Sequence, residues 1–365
     1  MTSKRRTYLQ IPQGTEAFYL EEAFRHRRIV TRLDELFESW GYLPVHTPVF
    51  DFFDNYRVLL GEDALESAYR LIDREGDLLM LRADITLFLA KQMGLALKKQ
   101  DLPIRVYYSD VILRHQNRED ISKNEFFQAG VELIGKAGKE ADLEVVVLLL
   151  RTLKELGVPA VVHVGSRTIF DELFGESDDE TQKRLVSAIA VRDRGAVRNL
   201  LGRWDSRLVT LVNDLFGFIG TAGELESLIA QTRRVEGLPK GVGVELRRLM
   251  EISRTLDRVV GAEAHRIDLS EIGTQQYYTG IVFEAYMQDQ DSAIASGGRY
   301  DNLLEHFGFP APSIGFSLLL RKIEGHVSGQ ERFRLPTPTR ATGDSFEAKL
   351  ESADLLRKKG KISVL

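Results

Sequence analysis

Gln128 and Glu132 lie four residues apart in EFFQAGVELIG (125–135), a strand-like segment on which they share one face. Polar groups turned inward from an apolar strand need partners, and a polar ligand or an internal hydrogen-bond network would serve equally well. The adjacent Tyr277 and Tyr278 stand in EIGTQQYYTGIVFE (271–284). On a strand they point to opposite faces, so that one can line a pocket while the other packs against the scaffold. In SGGRYDNLL (296–304) a glycine pair precedes Arg299. Such a pair lets a ligand approach the backbone while the guanidinium grips a carboxylate or phosphate, although a Gly-Gly turn with a salt-bridged arginine fits as well. Asp84 and Thr86 in LRADIT stand where a helix starts, and helix capping is the plain reading of that pair. His163, set between valines, reads as a satisfied core histidine rather than a ligand. Neither a GxSxG motif nor a cysteine nominates a nucleophile, and no GxxxxGK[ST] phosphate loop occurs.

Positioning these residues is the task of a regular order of elements. Apolar spacing predicts a helix over Phe18–Trp40, with Ile29, Leu33, Leu36 and Phe37 on one face and Gly41 as its stop. YLPVHTPVFDFF is β-rich, but Pro44 and Pro48 suit it to an edge or interface. DLLMLRADIT reads as a strand running into the helix TLFLAKQM. Residues 104–135 read as two antiparallel strands joined by the long loop HQNREDISKN. EADLEVVVLLLRTLKELG is an amphipathic helix, and PAVVHVGS a buried strand. Residues 168–262 read as a helical insertion. Strands resume in RIDLSEIG, YYTGIVFEAYM and SAIASGGRYDNLL, with a helix expected at GFSLLLRKIEGH. A polar linker follows over 326–345, and residues 346–365 suffice for one helix and one strand.

Composition limits the function classes. At 365 residues, 43% hydrophobic and 28% charged, the chain suits one large globular domain with appendages. It has no apolar run of about 18 residues to span a membrane. The basic start MTSKRRTYLQIPQG lacks the apolar core of a signal peptide. Zero cysteines exclude disulfides and thiolate metal sites and fit a reducing compartment, so a cytoplasmic location is expected. A net charge of −5 weighs against a dedicated nucleic-acid binder.

Taken in order, GYLPVHTPVF, LRADIT, LRHQNREDISKNEFFQAGVE, the insertion, QQYYTGIVFE, SGGRYDNLL and SIGFSLLLRKI resemble the catalytic domain of histidyl-tRNA synthetase over about residues 10–325. The resemblance implies an α+β class II synthetase-like domain over 1–325, an antiparallel sheet flanked by helices with the ligand on the sheet. It also implies a histidine site. Asp84, at the glutamate of the family's LRPEGT, Thr86 and Gln128 would address the amino group, and Arg114 the carboxylate. Glu132 and the Tyr277–Tyr278 pair would hold the imidazole; Arg299, from the glycine-pair reading rather than the resemblance, is the further candidate ligand contact. The activating half departs from the family. Gly273 replaces the arginine of RGLDYY, a cation that would stabilise charge during adenylate formation. Gln116 replaces a glutamate, and Ser122 and Asn124 replace arginines of the ATP-facing hairpin. Leu319 replaces a motif 3 glycine and Lys322 its arginine, with Arg321 next door as a partial substitute.

A synthetase-like domain that keeps histidine recognition, lacks the ATP chemistry and carries only a remnant of the anticodon-binding region resembles the regulatory subunits of ATP phosphoribosyltransferase. That family serves the first step of histidine biosynthesis. The resemblance implies a non-catalytic chain that supports a short catalytic subunit in a hetero-oligomer, expected to be a hetero-octamer, and mediates feedback inhibition by histidine. It implies no cofactor, metal, membrane or nucleic acid. A homodimer is expected through Gly41–Phe52. Two other readings remain, a truncated amino-acid-activating synthetase and a non-enzymatic binder of another partner.

Overall fold

The computed structural model describes residues 14–115, 124–202, 204–273, 275–290, 292–328 and 336–364. Its first long element is the helix α1 (Leu20–Ser39), which buries Ile29, Leu33 and Phe37 and ends before Gly41, whose φ of +81° suits glycine. The proline-bearing stretch after it yields only the short edge strands β1 (Leu43–Pro44) and β2 (Phe50–Phe52). A short helix α2 (Glu62–Ser67) leads to β3 (Arg70–Ile72) and β4 (Leu78–Leu81). These two and β2 form a small antiparallel sheet in the order β2-β4-β3. Helix α3 (Ile85–Ala96) follows, then the long hairpin β5 (Ile104–Leu113) and β6 (Glu125–Ile134).

Helix α4 (Lys139–Leu156) and β7 (Ala160–Ser166) precede six helices: α5 (Arg167–Phe174), α6 (Asp179–Ala190), α7 (Arg194–Leu200), α8 (Ser206–Phe216), α9 (Ala222–Thr232) and α10 (Lys240–Val259). Within this run the two-residue strand β8 (Ile219–Gly220) returns to the sheet beside β9 (His265–Asp268). The chain then lays down β10 (Ile281–Met287), β11 (Ala295–Arg299), the short helix α11 (Leu303–His306), β12 (Ser313–Leu319) and the short helix α12 (Leu320–Ile323). A parallel pair, β13 (Thr339–Arg340) and β14 (Ser363–Val364), brackets helix α13 (Phe346–Lys358). Thr339–Arg340 thus makes a strand inside the stretch expected as linker.

The main sheet has nine strands in the order β1-β5-β6-β12-β11-β10-β7-β9-β8. Its ladders are antiparallel except for β1 with β5 and β7 with β9. The expected helix at GFSLLLRKIEGH is corrected here, because residues 315–319 belong to β12, hydrogen-bonded between β6 and β11. A strand covered on both faces reads as a continuous apolar run, and periodicity alone does not separate it from a buried helix.

Strand alternation divides the sheet into two surfaces. One carries Val131, Leu133, Phe283, Ala285, Phe316 and Leu318 into the core built with α1, α4 and the inserted helices. On the other, registered partners run across the strands as Tyr108, Gly130, Ser317, Ser296, Glu284 and His163. The adjacent row on this face is Val106, Glu132, Gly315, Gly298, Val282 and Gly165. Polar and side-chain-free positions thus gather on one face, which leaves room for a ligand there.

Candidate ligand-binding site

A cleft on this face is lined by Asp84, Thr86, Arg114, Gln128, Glu132, Gln275, Tyr277, Tyr278, Tyr300 and the backbone of β11 and β12, and it encloses about 610 Å³ of empty space including its mouth. Three local structures deliver the side chains. The β4–α3 junction supplies Asp84 and Thr86, the β5–β6 hairpin supplies Arg114, Gln128 and Glu132, and the loop before β10 supplies the tyrosines. Tyr277 and Tyr278 therefore lie outside any strand. The expectation of opposite faces is corrected, since both rings line this cleft, 5.1 Å apart between centroids.

Asp84 combines the two roles weighed for it. Its Oδ1 accepts from the backbone N–H of Leu87 at 3.0 Å and caps α3, while the Tyr277 hydroxyl donates to its Oδ2 at 3.4 Å. Nη2 of Arg114 stands 3.9 Å from the same Oδ2. The Arg114 Nε–H donates to the carbonyl of Ala83 at 2.8 Å, which fixes the plane of the guanidinium. Deeper in, Glu132 is 1% exposed. Thr86 donates to its Oε1 at 2.7 Å and Tyr300 to its Oε2. Burial pushes the Glu132 carboxyl up to about 8, and the two hydroxyls offset only part of that rise. Burial likewise raises the hydroxyls of Tyr277, Tyr278 and Tyr300 well above their usual range, so all three are neutral hydrogen-bond donors at physiological pH. Gln128 is 5% exposed, and among the described residues no donor meets its buried Oε1. An acceptor left open in this way suits an incoming N–H group.

Arg299 is not in the cleft. It sits on the opposite surface of β11, where Nε and Nη2 donate to Asp142 Oδ1 at 2.8 and 2.6 Å and Nη1 donates to Asp301 at 3.0 Å. Its neighbour Tyr300, not singled out from the sequence, does reach the cleft. The alternation Ser296, Gly298, Tyr300 was the available signal, and it assigns Arg299 to the other side.

The departures at the activating half also have local structures. Gly273 has a φ of +73°, and a Cβ built on it would stand 2.5 Å from Cδ2 of Tyr278. Leu319 lines the cleft directly across from Gln128. Arg321 is no substitute for the missing arginine, because Glu16, Glu22 and Glu324 hold its guanidinium at 2.9, 2.9 and 2.6 Å, over the ring of Phe18. Lys322 donates to Ser292 and to the carbonyl of Ala293. Asn124 stands just before β6, its N–H donating to the carbonyl of Gly14, whereas Gln116 and Ser122 lie outside the described residues.

Farther along the same sheet face, His163 is half-buried and bonds through Nδ1 to Asp268 at 2.8 Å. His163, Asp268 and Glu271 bring ligand-type atoms within 4.8 Å of one another. The oxygens of Asp268 are already occupied by His163, Arg192 and Ser270, so this group offers a cation little open coordination. A partnered core histidine is the simpler account.

The sequence profile of the histidyl-tRNA synthetase family matches residues 14–323. Among curated proteins, the ATP phosphoribosyltransferase regulatory subunit of Moorella thermoacetica is 30% identical over 98% of this chain and 92% of its own length. That of Bacillus subtilis is 35% identical over 81% and 76%. A crystal structure described as an ATP phosphoribosyltransferase regulatory subunit/histidyl-tRNA synthetase from Bacillus halodurans C superposes with a TM-score of 0.83 at 25% identity, covering 98% of this chain and 92% of that one. The histidyl-tRNA synthetase of Nostoc sp. PCC 7120 shares the fold with a TM-score of 0.78 at 20% identity, covering 97% and 85%.

Proposed function

Because the chain belongs to the histidyl-tRNA synthetase family, and among its members is closely similar to ATP phosphoribosyltransferase regulatory subunits, we propose that it is such a regulatory subunit, with histidine bound in the Asp84–Glu132–Tyr277 cleft as feedback effector. Catalysis resides in a separate short phosphoribosyltransferase chain, in a cytoplasmic hetero-oligomer of the octameric kind. Two copies of this chain pair through the edge around Gly41–Phe52.

The observation that carries the reading is the contrast across one cleft. The groups suited to an amino acid with an imidazole converge there, while the position of the activating arginine is a glycine with Tyr278 packed where a side chain would begin. Asp84 and the open Gln128 oxygen suit an ammonium, Arg114 suits a carboxylate, and Glu132 with the phenols suits ring nitrogens. Regulation then follows if histidine binds one state of the assembly more tightly than another.

The test uses the purified chain with and without a short ATP phosphoribosyltransferase chain. The expected result is calorimetric histidine binding, no histidine-dependent pyrophosphate exchange with ATP, and a partner reaction that this chain supports and histidine inhibits. Robust exchange would instead establish a truncated activating synthetase. Absence of both a stable complex and any effect on the partner's rate would point to a binder of something else.

A further inference from the structure

Arg82 stands two residues before Asp84, is 1% exposed and is the largest fully buried side chain among the described residues. None of its hydrogen bonds goes to the cleft. Its Nε donates to the carbonyl of Val111 at 3.1 Å, and Nη2 donates to the same carbonyl and to Asp110 Oδ1, each at 2.7 Å. Nη1 donates to the carbonyl of Thr47 at 2.8 Å and to its hydroxyl at 2.9 Å. The five N–H groups of the fork are thereby used. Its main chain is tied at the same places, since Arg82 N–H donates to Val49 at 2.8 Å and Leu113 N–H donates to Arg82 at 2.9 Å.

Three segments consequently meet at one residue. Thr47–Val49 leads into an edge where Val49, Phe50 and Phe52 are 52%, 55% and 50% exposed. The end of β5 delivers Arg114, which grips Ala83. Asp84 and Thr86, two and four residues after Arg82, form one wall of the cleft. A movement of the edge cannot leave the wall in place unless buried hydrogen bonds to a cation are broken, which is strongly unfavourable.

We propose that Arg82 is a positioning residue that couples the Thr47–Phe52 edge to the ligand cleft, so that pairing of a second copy on this edge sets the affinity for histidine. The proposal rests on the histidine reading of the cleft given above. Linkage makes the effect reciprocal, so histidine also tightens the pair.

Two substitutions in the full chain test it. Arg82→Lys keeps the charge but replaces a fork by a point donor. Thr47→Val removes one bond on the edge side and touches no residue of the cleft. With circular dichroism unchanged, Arg82→Lys is expected to weaken histidine binding about tenfold by calorimetry, and Thr47→Val by about threefold. In the wild type, histidine affinity should change as the protein is diluted through dissociation of the pair, and in Arg82→Lys it should not. Without ligand, hydrogen exchange should quicken in Arg82→Lys at both 47–52 and 85–89, with 129–133 unaffected. A folded Arg82→Lys with wild-type affinity, exchange confined to one of the two segments, or wild-type affinity indifferent to dilution overturns the coupling. If Arg82→Lys does not fold, unchanged affinity in Thr47→Val overturns it. A wild-type chain that binds no histidine defeats the functional reading instead, and the exchange comparison then decides the role of Arg82 alone.

Discussion

Glu132 shows how a single carboxyl sets both the cost and the use of the cleft. Its ordinary value of 4.5 rises to about 8 in the fold. The native chain therefore holds a proton that the unfolded chain releases, and stability falls as pH climbs from about 4.5 to about 8. Glu132→Gln removes that ionisation. Unliganded, it should be more stable than wild type at pH 8.5 by at least about 1 kcal/mol and indistinguishable near pH 4.5, as read by denaturant melts. Equal stability at pH 8.5 would refute the buried-charge cost. At pH 8.5, where the carboxylate is ionised, the same variant should bind histidine about tenfold more weakly, because a charge-assisted partner is lost. Gly273 gives a second prediction: Gly273→Arg should not restore pyrophosphate exchange and should lower stability by at least about 1 kcal/mol, since a side chain there meets both a positive φ and the Tyr278 ring. A gain of exchange would show that the loop yields. Much of this was legible in the sequence. Asp84, Thr86, Arg114, Gln128 and Glu132 were singled out from contiguous motifs, and the structure brings all five to one cleft. Arg299 was misplaced because a glycine pair says that something comes close, and only strand alternation says on which side.

At the scale of elements, Arg299 and Asp142 pin β11 to α4 beneath the cleft floor, and Arg248 from α10 joins Asp142 from the inserted helices. Removing one partner leaves a buried carboxylate without its main counter-ion. Arg299→Met is therefore expected to cost about 3–5 kcal/mol in a urea titration, with the histidine affinity of the folded fraction unchanged. A large loss of affinity at unchanged stability would return Arg299 to the site. The inserted helices are not an ornament, since α10 alone contributes Val242, Leu246, Leu249, Ile252 and Leu256 to the common core. The inserted helices announced themselves by their apolar period, and the structure adds caps such as Thr221 with Glu224 at the start of α9. The strand GFSLL and the loop carrying the tyrosines did not, because a central strand shows no alternation and a loop that packs two aromatic rings resembles one.

At the scale of the whole molecule, the stretch after α1 leaves apolar side chains open among the described residues: Leu43, Val49, Phe50 and Phe52 are between 50% and 63% exposed. Exposure of this kind is what a contact with a second copy would cover. Phe50→Asp with Phe52→Asp should give monomers by sedimentation without loss of helical signal, and unchanged association would place the interface elsewhere. In the sequence two prolines marked this stretch as an edge, and only the family resemblance pointed to pairing through it. The cleft face of the sheet has a further consequence, for tolerance rather than affinity. Cβ atoms at Gly298 and Gly315 would collide with Tyr278 and with the Glu132 side chain. In a saturation map of substitutions the cleft floor would thus be drawn in negative, by positions that offer no chemistry and accept no other residue.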